Sequence, residues 1–83
     1  SVIQDRKNSP VPESYTSELF NQGAERVAQK VVEEAGEVAI AGVTGKKEEL
    51  ASEVADLLYH TLVLMSSNDI KPEAVWSVLR NRR

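Results

Sequence analysis

The chain has 83 residues, no cysteine, a single histidine and a net charge of -3 at pH 7. Disulfides are therefore excluded, one histidine without cysteine leaves no ligand spacing for a structural zinc, and 13 acidic against 10 basic residues argue against a nucleic-acid or anionic-membrane surface. A domain of this size buries little core of its own, so oligomerisation is the remaining source of stability.

No apolar run approaches the roughly eighteen residues that a bilayer span requires, and residues 1–8 lack a signal-peptide core. The expectation is a cytosolic protein, a single all-α domain over residues 1–83, whose partner is a small molecule or a metal.

Val2, Ile3, Asp5, Arg6 and Lys7 read as the last turns of a helix that begins upstream, so the N-terminal helix is expected to be truncated. Asn8, Ser9, Pro10, Val11 and Pro12 break it. Ser14 is placed to cap a short helix that runs through Leu19 and Phe20 and stops at Gly23. Over residues 24–43 the small and aliphatic side chains Ala24, Val27, Ala28, Val31, Ala35, Val38 and Ala39 recur at three- and four-residue intervals, which predicts an amphipathic helix. Thr44 and Gly45 end it.

A second long helix is predicted over residues 46–66. Its later half is apolar almost all round, through Leu57, Leu58, Leu62, Leu64 and Met65. Such a helix wants neighbours on every side, which predicts an antiparallel, four-helix-like bundle completed by dimerisation. Asn68 and Asp69 make a turn, Pro72 suits an opening helical turn, and Ala74, Val75, Val78 and Leu79 give the last helix its face. Tyr59 and Trp76 read as packing residues, and Arg80, Arg82 and Arg83 as cations favourable at a helix C-terminus.

The chemistry lies in the acidic residues. Glu33, Glu34 and Glu37 fall within an arc of roughly 100° on the first long helix, and Glu53 and Asp56 form an i,i+3 pair on the second. If the Thr44-Gly45 turn makes these helices antiparallel, the two acidic faces meet. Like charges at this spacing repel, and a cation or protons would relieve them; hard carboxylate oxygens suit magnesium, which shares its coordination with substrate phosphates. The bland alternative is a solvated acidic stripe on a good helix-forming sequence. Asp56 favours the ligand reading because it sits inside Val54-Ala55-Asp56-Leu57-Leu58, where a solvated aspartate is out of place. Lys30, one turn before Glu34, serves either as its i,i+4 partner or as a phosphate contact. His60 reads as a hydrogen-bonded core histidine rather than a ligand. A di-iron site is disfavoured because that design needs Glu-x-x-His on two helices.

Glu33-Glu34-x-x-Glu37 followed by Glu53-x-x-Asp56 resembles the signature of the MazG-type all-α nucleotide pyrophosphohydrolases. Ser14-Tyr15-Thr16-x-x-Leu19-Phe20, Lys30-Val31-x-Glu33-Glu34-Ala35, Ala55-Asp56-Leu57-Leu58-Tyr59-His60 and Leu62-Val63-Leu64 are similar, more narrowly, to the phosphoribosyl-ATP pyrophosphatase family. This likeness covers nearly the whole chain. Two features depart from it: Val32 stands where the family often has glycine, and the helix expected before Ser1 is largely lacking.

The resemblance implies magnesium on Glu34, Glu37, Glu53 and Asp56, with Glu33 positioning or deprotonating water. It also implies hydrolysis of phosphoribosyl-ATP to phosphoribosyl-AMP and pyrophosphate in histidine biosynthesis. Lys30 is the substrate-contact candidate, and Tyr15 and His60 match family positions in kind. A homodimer with its active site between subunits is implied too, as is fusion or coupling to the phosphoribosyl-AMP cyclohydrolase of the next step. Two competing expectations are a pyrophosphohydrolase of free (deoxy)nucleoside triphosphates and a non-enzymatic helical dimerisation module.

Overall fold

The computed structural model describes residues 15–82, which form four helices and no strand: α1 (Tyr15–Gln22), α2 (Ala24–Thr44), α3 (Lys47–Ser67) and α4 (Pro72–Asn81). The all-α expectation is met. The expected helix within residues 2–7, the break after it and the Ser14 cap lie outside the described residues.

Backbone chemistry explains the boundaries. Gly23 takes φ 88° and ψ 171°, and Gly45 takes φ 74° and ψ 17°, both on the side of the map that a β-carbon disfavours. The end of α3 uses a Schellman motif without glycine. The Ile70 N–H donates to the Met65 carbonyl at 2.9 Å and the Asp69 N–H donates to the Ser66 carbonyl at 3.1 Å. Asp69 occupies the left-handed position at φ 58°, which a short polar side chain tolerates better than most. Pro72 opens α4, where its missing N–H costs nothing.

α2 and α3 pack as an antiparallel hairpin across the Gly45 turn. At the open end Val27 and Val63, both fully buried, pack together; at the closed end a β-carbon on Gly42 would meet Leu50 Cδ1 at 4.0 Å. The seam on α2 runs through Val27, Val31, Glu34, Val38 and Ala41, spaced by three and four residues, all of them buried or half-buried. Ala28, Ala35 and Ala39, expected to share that face, are exposed, because the helix carries two apolar stripes and the described residues cover only one of them. The second stripe holds Val32 at 72% exposure, Val43 at 89% and, beside them, Ile40.

The core is thin. Val27, Ala41 and Val63 are the buried apolar residues among those described, and each buried valine contributes about 1.5–3 kcal/mol. Leu57, Leu62, Leu64 and Met65 are only half-buried, and Leu58 is exposed. α4 has no buried residue. Its helix is braced instead by Arg80, which donates to Glu73 Oε1 at 2.6 Å. Trp76, expected as a packing residue, is 51% exposed, because α4 lacks a neighbour for that face among the described residues.

Candidate functional site

Two of the seam positions carry acid. Glu34 stands in the same register as Val27, Val31, Val38 and Ala41 and is 7% exposed, and Glu53 is half-buried on the facing side of α3. Glu37, one turn after Glu34, is exposed. These three residues each offer a carboxylate oxygen, and the three oxygens lie within 4.8 Å of one another. The two helices therefore bring their acidic faces together, as expected for antiparallel packing.

The cluster is electrostatically incomplete. Lys30 Nζ stands 3.3 Å from Glu34 Oε1, an i,i+4 pair that offsets one charge. Glu34 Oε2 and Glu53 Oε2 are buried and have no hydrogen-bond partner among the described residues. Leaving such oxygens unpaired is costly, since a buried carboxylate needs protons, donors or a metal. Burial pulls the Lys30 ammonium pKa down, but its hydrogen bond to Glu34 and the nearby Tyr15 and Glu33 outweigh that and leave the group above its ordinary value.

The other expected site residues fall outside this cluster. Glu33 is exposed and pairs with Arg26 at 3.5 Å, across two helical turns. Asp56 is exposed and does not belong to the three-carboxylate group, so its place inside an apolar run did not mean burial within the chain. Its neighbours Ala55 and Leu58 are exposed as well, which makes this a surface that the described residues leave uncovered.

Beside the carboxylates lies a polar aromatic group that periodicity does not reveal. The Asp56 carbonyl can only accept, so the His60 ring donates to it from Nδ1, at 2.7 Å. His60 Nε2 is then an acceptor and receives the Tyr15 hydroxyl at 2.6 Å. The Thr16 and Tyr59 hydroxyls are bonded to each other, a second link between α1 and α3. Burial pushes the Tyr15 phenol above its ordinary pKa, opposed by Lys30 and Arg26 and aided by Tyr59 and Glu34. The expectation of a hydrogen-bonded core histidine is met. Tyr59 has a polar role that a packing reading missed, because its partner lies 43 residues away.

An antiparallel helical hairpin with a partly buried carboxylate cluster on its seam defines an all-α, acid-lined class of protein suited to holding a divalent cation. The family model described as phosphoribosyl-ATP pyrophosphohydrolase matches residues 1–83, and the chain belongs to that family. It is 52% identical over 81 residues to the phosphoribosyl-ATP pyrophosphatase of Geobacter sulfurreducens, a match covering 98% of this chain and 75% of that protein. The phosphoribosyl-ATP pyrophosphatase of Clostridium acetobutylicum is 45% identical over 82 residues, covering 99% of this chain and 74% of the relative. The histidine biosynthesis bifunctional protein HisIE of Pyrococcus furiosus is 50% identical over 82 residues, which are 99% of this chain but 38% of that longer protein.

Proposed function

We propose that the chain hydrolyses phosphoribosyl-ATP to phosphoribosyl-AMP and pyrophosphate in histidine biosynthesis, using magnesium held by Glu34, Glu37 and Glu53 with Asp56 added from the exposed edge. The observation that carries this reading is the group of three carboxylates within 4.8 Å, two of whose oxygens are buried without a hydrogen-bond partner among the described residues. A solvated acidic stripe does not account for Glu34, which sits on the helix seam at 7% exposure. The donor set also fits: hard carboxylate oxygens from two helices suit magnesium, while no histidine or cysteine competes for a softer metal among the cluster residues.

When bound, the ion supplies charge neutralisation at phosphate oxygens and lowers the pKa of a coordinated water. The rest falls to the side chains. Water attacks phosphorus, the bond between the α- and β-phosphates breaks, and pyrophosphate leaves with its electron pair. Glu33 accepts the proton lost by water, or orients that water, from its exposed position beside Arg26. Lys30, pairing with Glu34 at 3.3 Å, is the cation nearest the cluster and takes a phosphate oxygen.

The assembly proposed is a homodimer with its active site between subunits, in the cytoplasm. Supporting it are the thin core, the exposed Val32 and Val43 stripe on α2, and the half-covered apolar later part of α3. No helix among the described residues is long and apolar enough to cross a membrane. Fusion or functional coupling to phosphoribosyl-AMP cyclohydrolase is proposed by analogy with the bifunctional relative.

The test is a side-by-side assay of pyrophosphate release from phosphoribosyl-ATP and from deoxynucleoside triphosphates. Magnesium-dependent turnover of phosphoribosyl-ATP is expected, lost in Glu37→Gln and in Asp56→Asn while the helical circular dichroism is retained. A strong preference for deoxynucleoside triphosphates overturns the substrate, and unchanged turnover in both variants overturns the site.

A further inference from the structure

We propose that the ring of Tyr15 is the surface on which the purine base of the nucleotide stacks, with His60 as the positioning residue that holds it. The inference rests on the carboxylate cluster being the phosphate end of the same site, and it adds where the other end of the substrate lies.

The seam has an order. Passing from the Gly45 turn toward the open end of the hairpin, α2 presents Glu37, then Glu34, then Lys30. Because Gly42 faces Leu50 and Val27 faces Val63, the turn of α3 that carries His60 lies across from Lys30. Glu37 and Lys30 are separated by about 10 Å of helix, a span comparable with a polyphosphate that leads on to a ribose. Tyr15 stands at the far end of that line, close enough for its hydroxyl to feel the charges of Lys30, Arg26 and Glu34.

Tyr15 is also built as a platform. The residue is 47% exposed, yet its side chain is fixed from behind. The hydroxyl is committed to Nε2 of the buried His60, whose other nitrogen is anchored on the Asp56 carbonyl. The Tyr59 ring stacks with it at 6.1 Å between centroids and 25° between planes, and the His60 ring meets it edge-on at 5.7 Å and 81°. An exposed tyrosine on a helix surface ordinarily turns freely. This one has its orientation settled before any ligand arrives, so stacking costs little additional ordering. With the hydroxyl already bonded, the π-face is what remains to offer, and bases stack on such faces.

The experiment measures calorimetric binding of a nonhydrolysable ATP analogue and of tripolyphosphate, with magnesium present, to the wild type, Tyr15→Phe, Tyr15→Leu and Tyr15→Ala. Steady-state kinetics on phosphoribosyl-ATP accompany it. The wild type is expected to prefer the nucleotide. Tyr15→Leu and Tyr15→Ala lose about tenfold or more of that preference. Their tripolyphosphate affinity stays within about twofold, and KM for phosphoribosyl-ATP rises in step while kcat stays within about threefold. Tyr15→Phe keeps the ring but loses its bond to His60, so its preference falls between that of the wild type and that of Tyr15→Ala. Equal weakening of both ligands, a Tyr15→Phe as damaging as Tyr15→Ala, or a wild type with no preference for the base overturns the proposal. Should Tyr15→Ala fail to fold, Tyr15→Leu, which keeps apolar bulk without a π-face, still decides. A wild type that turns over phosphoribosyl-ATP with Tyr15 variants unaffected sinks the platform alone, whereas a wild type without turnover sinks the activity.

Discussion

Lys30 Nζ stands 3.3 Å from one oxygen of Glu34, while the other oxygen of the same carboxylate is buried and accepts no hydrogen bond among the described residues. One side chain is thus half neutralised from within the chain and half left for something else. Lys30→Met removes the internal counter-charge and leaves both oxygens of Glu34 unpaired. The expected cost is about 1–3 kcal/mol of stability in the presence of a chelator. Magnesium should return most of it, because a ligand bound only by the folded state raises stability. Urea unfolding with chelator and with magnesium measures both quantities. An equal loss in the two conditions would show that Glu34 does not take part in metal binding.

Glu53 bears the opposite prediction. Its Oε2 is buried without a partner among the described residues and it lies within the 4.8 Å group with Glu34 and Glu37, so in the absence of a cation it destabilises the seam. Glu53→Gln removes one of the like charges and should raise stability without metal by about 0.5 kcal/mol or more. The same variant should lose the magnesium-induced shift in thermal midpoint, together with turnover. Stability gained where function is lost is the expected signature of a ligand-binding site. A Glu53→Gln protein that is less stable than the wild type in chelator contradicts the repulsion argument.

The helices were legible because their signals are local. Gly23 and Gly45 stand at the positive-φ positions that end or separate helices, Pro72 opens α4, and the three- and four-residue spacing of Val27, Val31 and Val38 traces the seam. The meeting of Glu34, Glu37 and Glu53 was legible for the same reason, once a tight turn implied antiparallel packing. Asp56, set in an apolar run, is exposed among the described residues. An apolar neighbourhood in sequence marks a surface to be covered and does not say whether the same chain covers it. Trp76 failed in the same way. The Tyr15 to His60 bond was not legible, since it joins residues 45 apart through side-chain geometry that no periodicity encodes.

α3 begins without help from a side chain. Lys46 is its N-cap residue, with φ -87° and ψ 93°, and makes no capping hydrogen bond. Its ammonium instead lies 3.9 Å from Glu49, an exposed pair of small worth. Lys46 already holds the extended conformation that a capping serine adopts, and Glu49 is at the third helical position. Lys46→Ser therefore completes a capping box, in which the serine oxygen accepts from the Glu49 N–H and the glutamate accepts from the N–H at position 46. The expected gain is about 1 kcal/mol, or roughly 4–8 °C in Tm. A thermal melt at neutral pH measures it, and an unchanged or lower midpoint refutes the capping argument.

Alkaline pH should weaken the fold through two groups on the same flank of the site. The Tyr15 phenol is raised chiefly by burial, and the Lys30 ammonium is raised because Glu34 and its neighbours outweigh burial. In both cases the folded state holds its proton more tightly than the unfolded chain does. Their contribution is fully present below the unfolded values, 10.0 for tyrosine and 10.5 for lysine, and is lost as pH rises through the higher folded values. The thermal midpoint should therefore change little between about pH 7 and 9 on account of these groups and fall above about pH 10. Tyr15→Phe, which still packs its ring but has no proton to lose, should start from a lower plateau, because His60 forfeits its donor, and then fall less steeply. Melts of both proteins across this range, in chelator so that metal binding does not intervene, check the difference. A variant whose slope equals or exceeds that of the wild type would remove Tyr15 from the account and leave the alkaline loss to Lys30 alone.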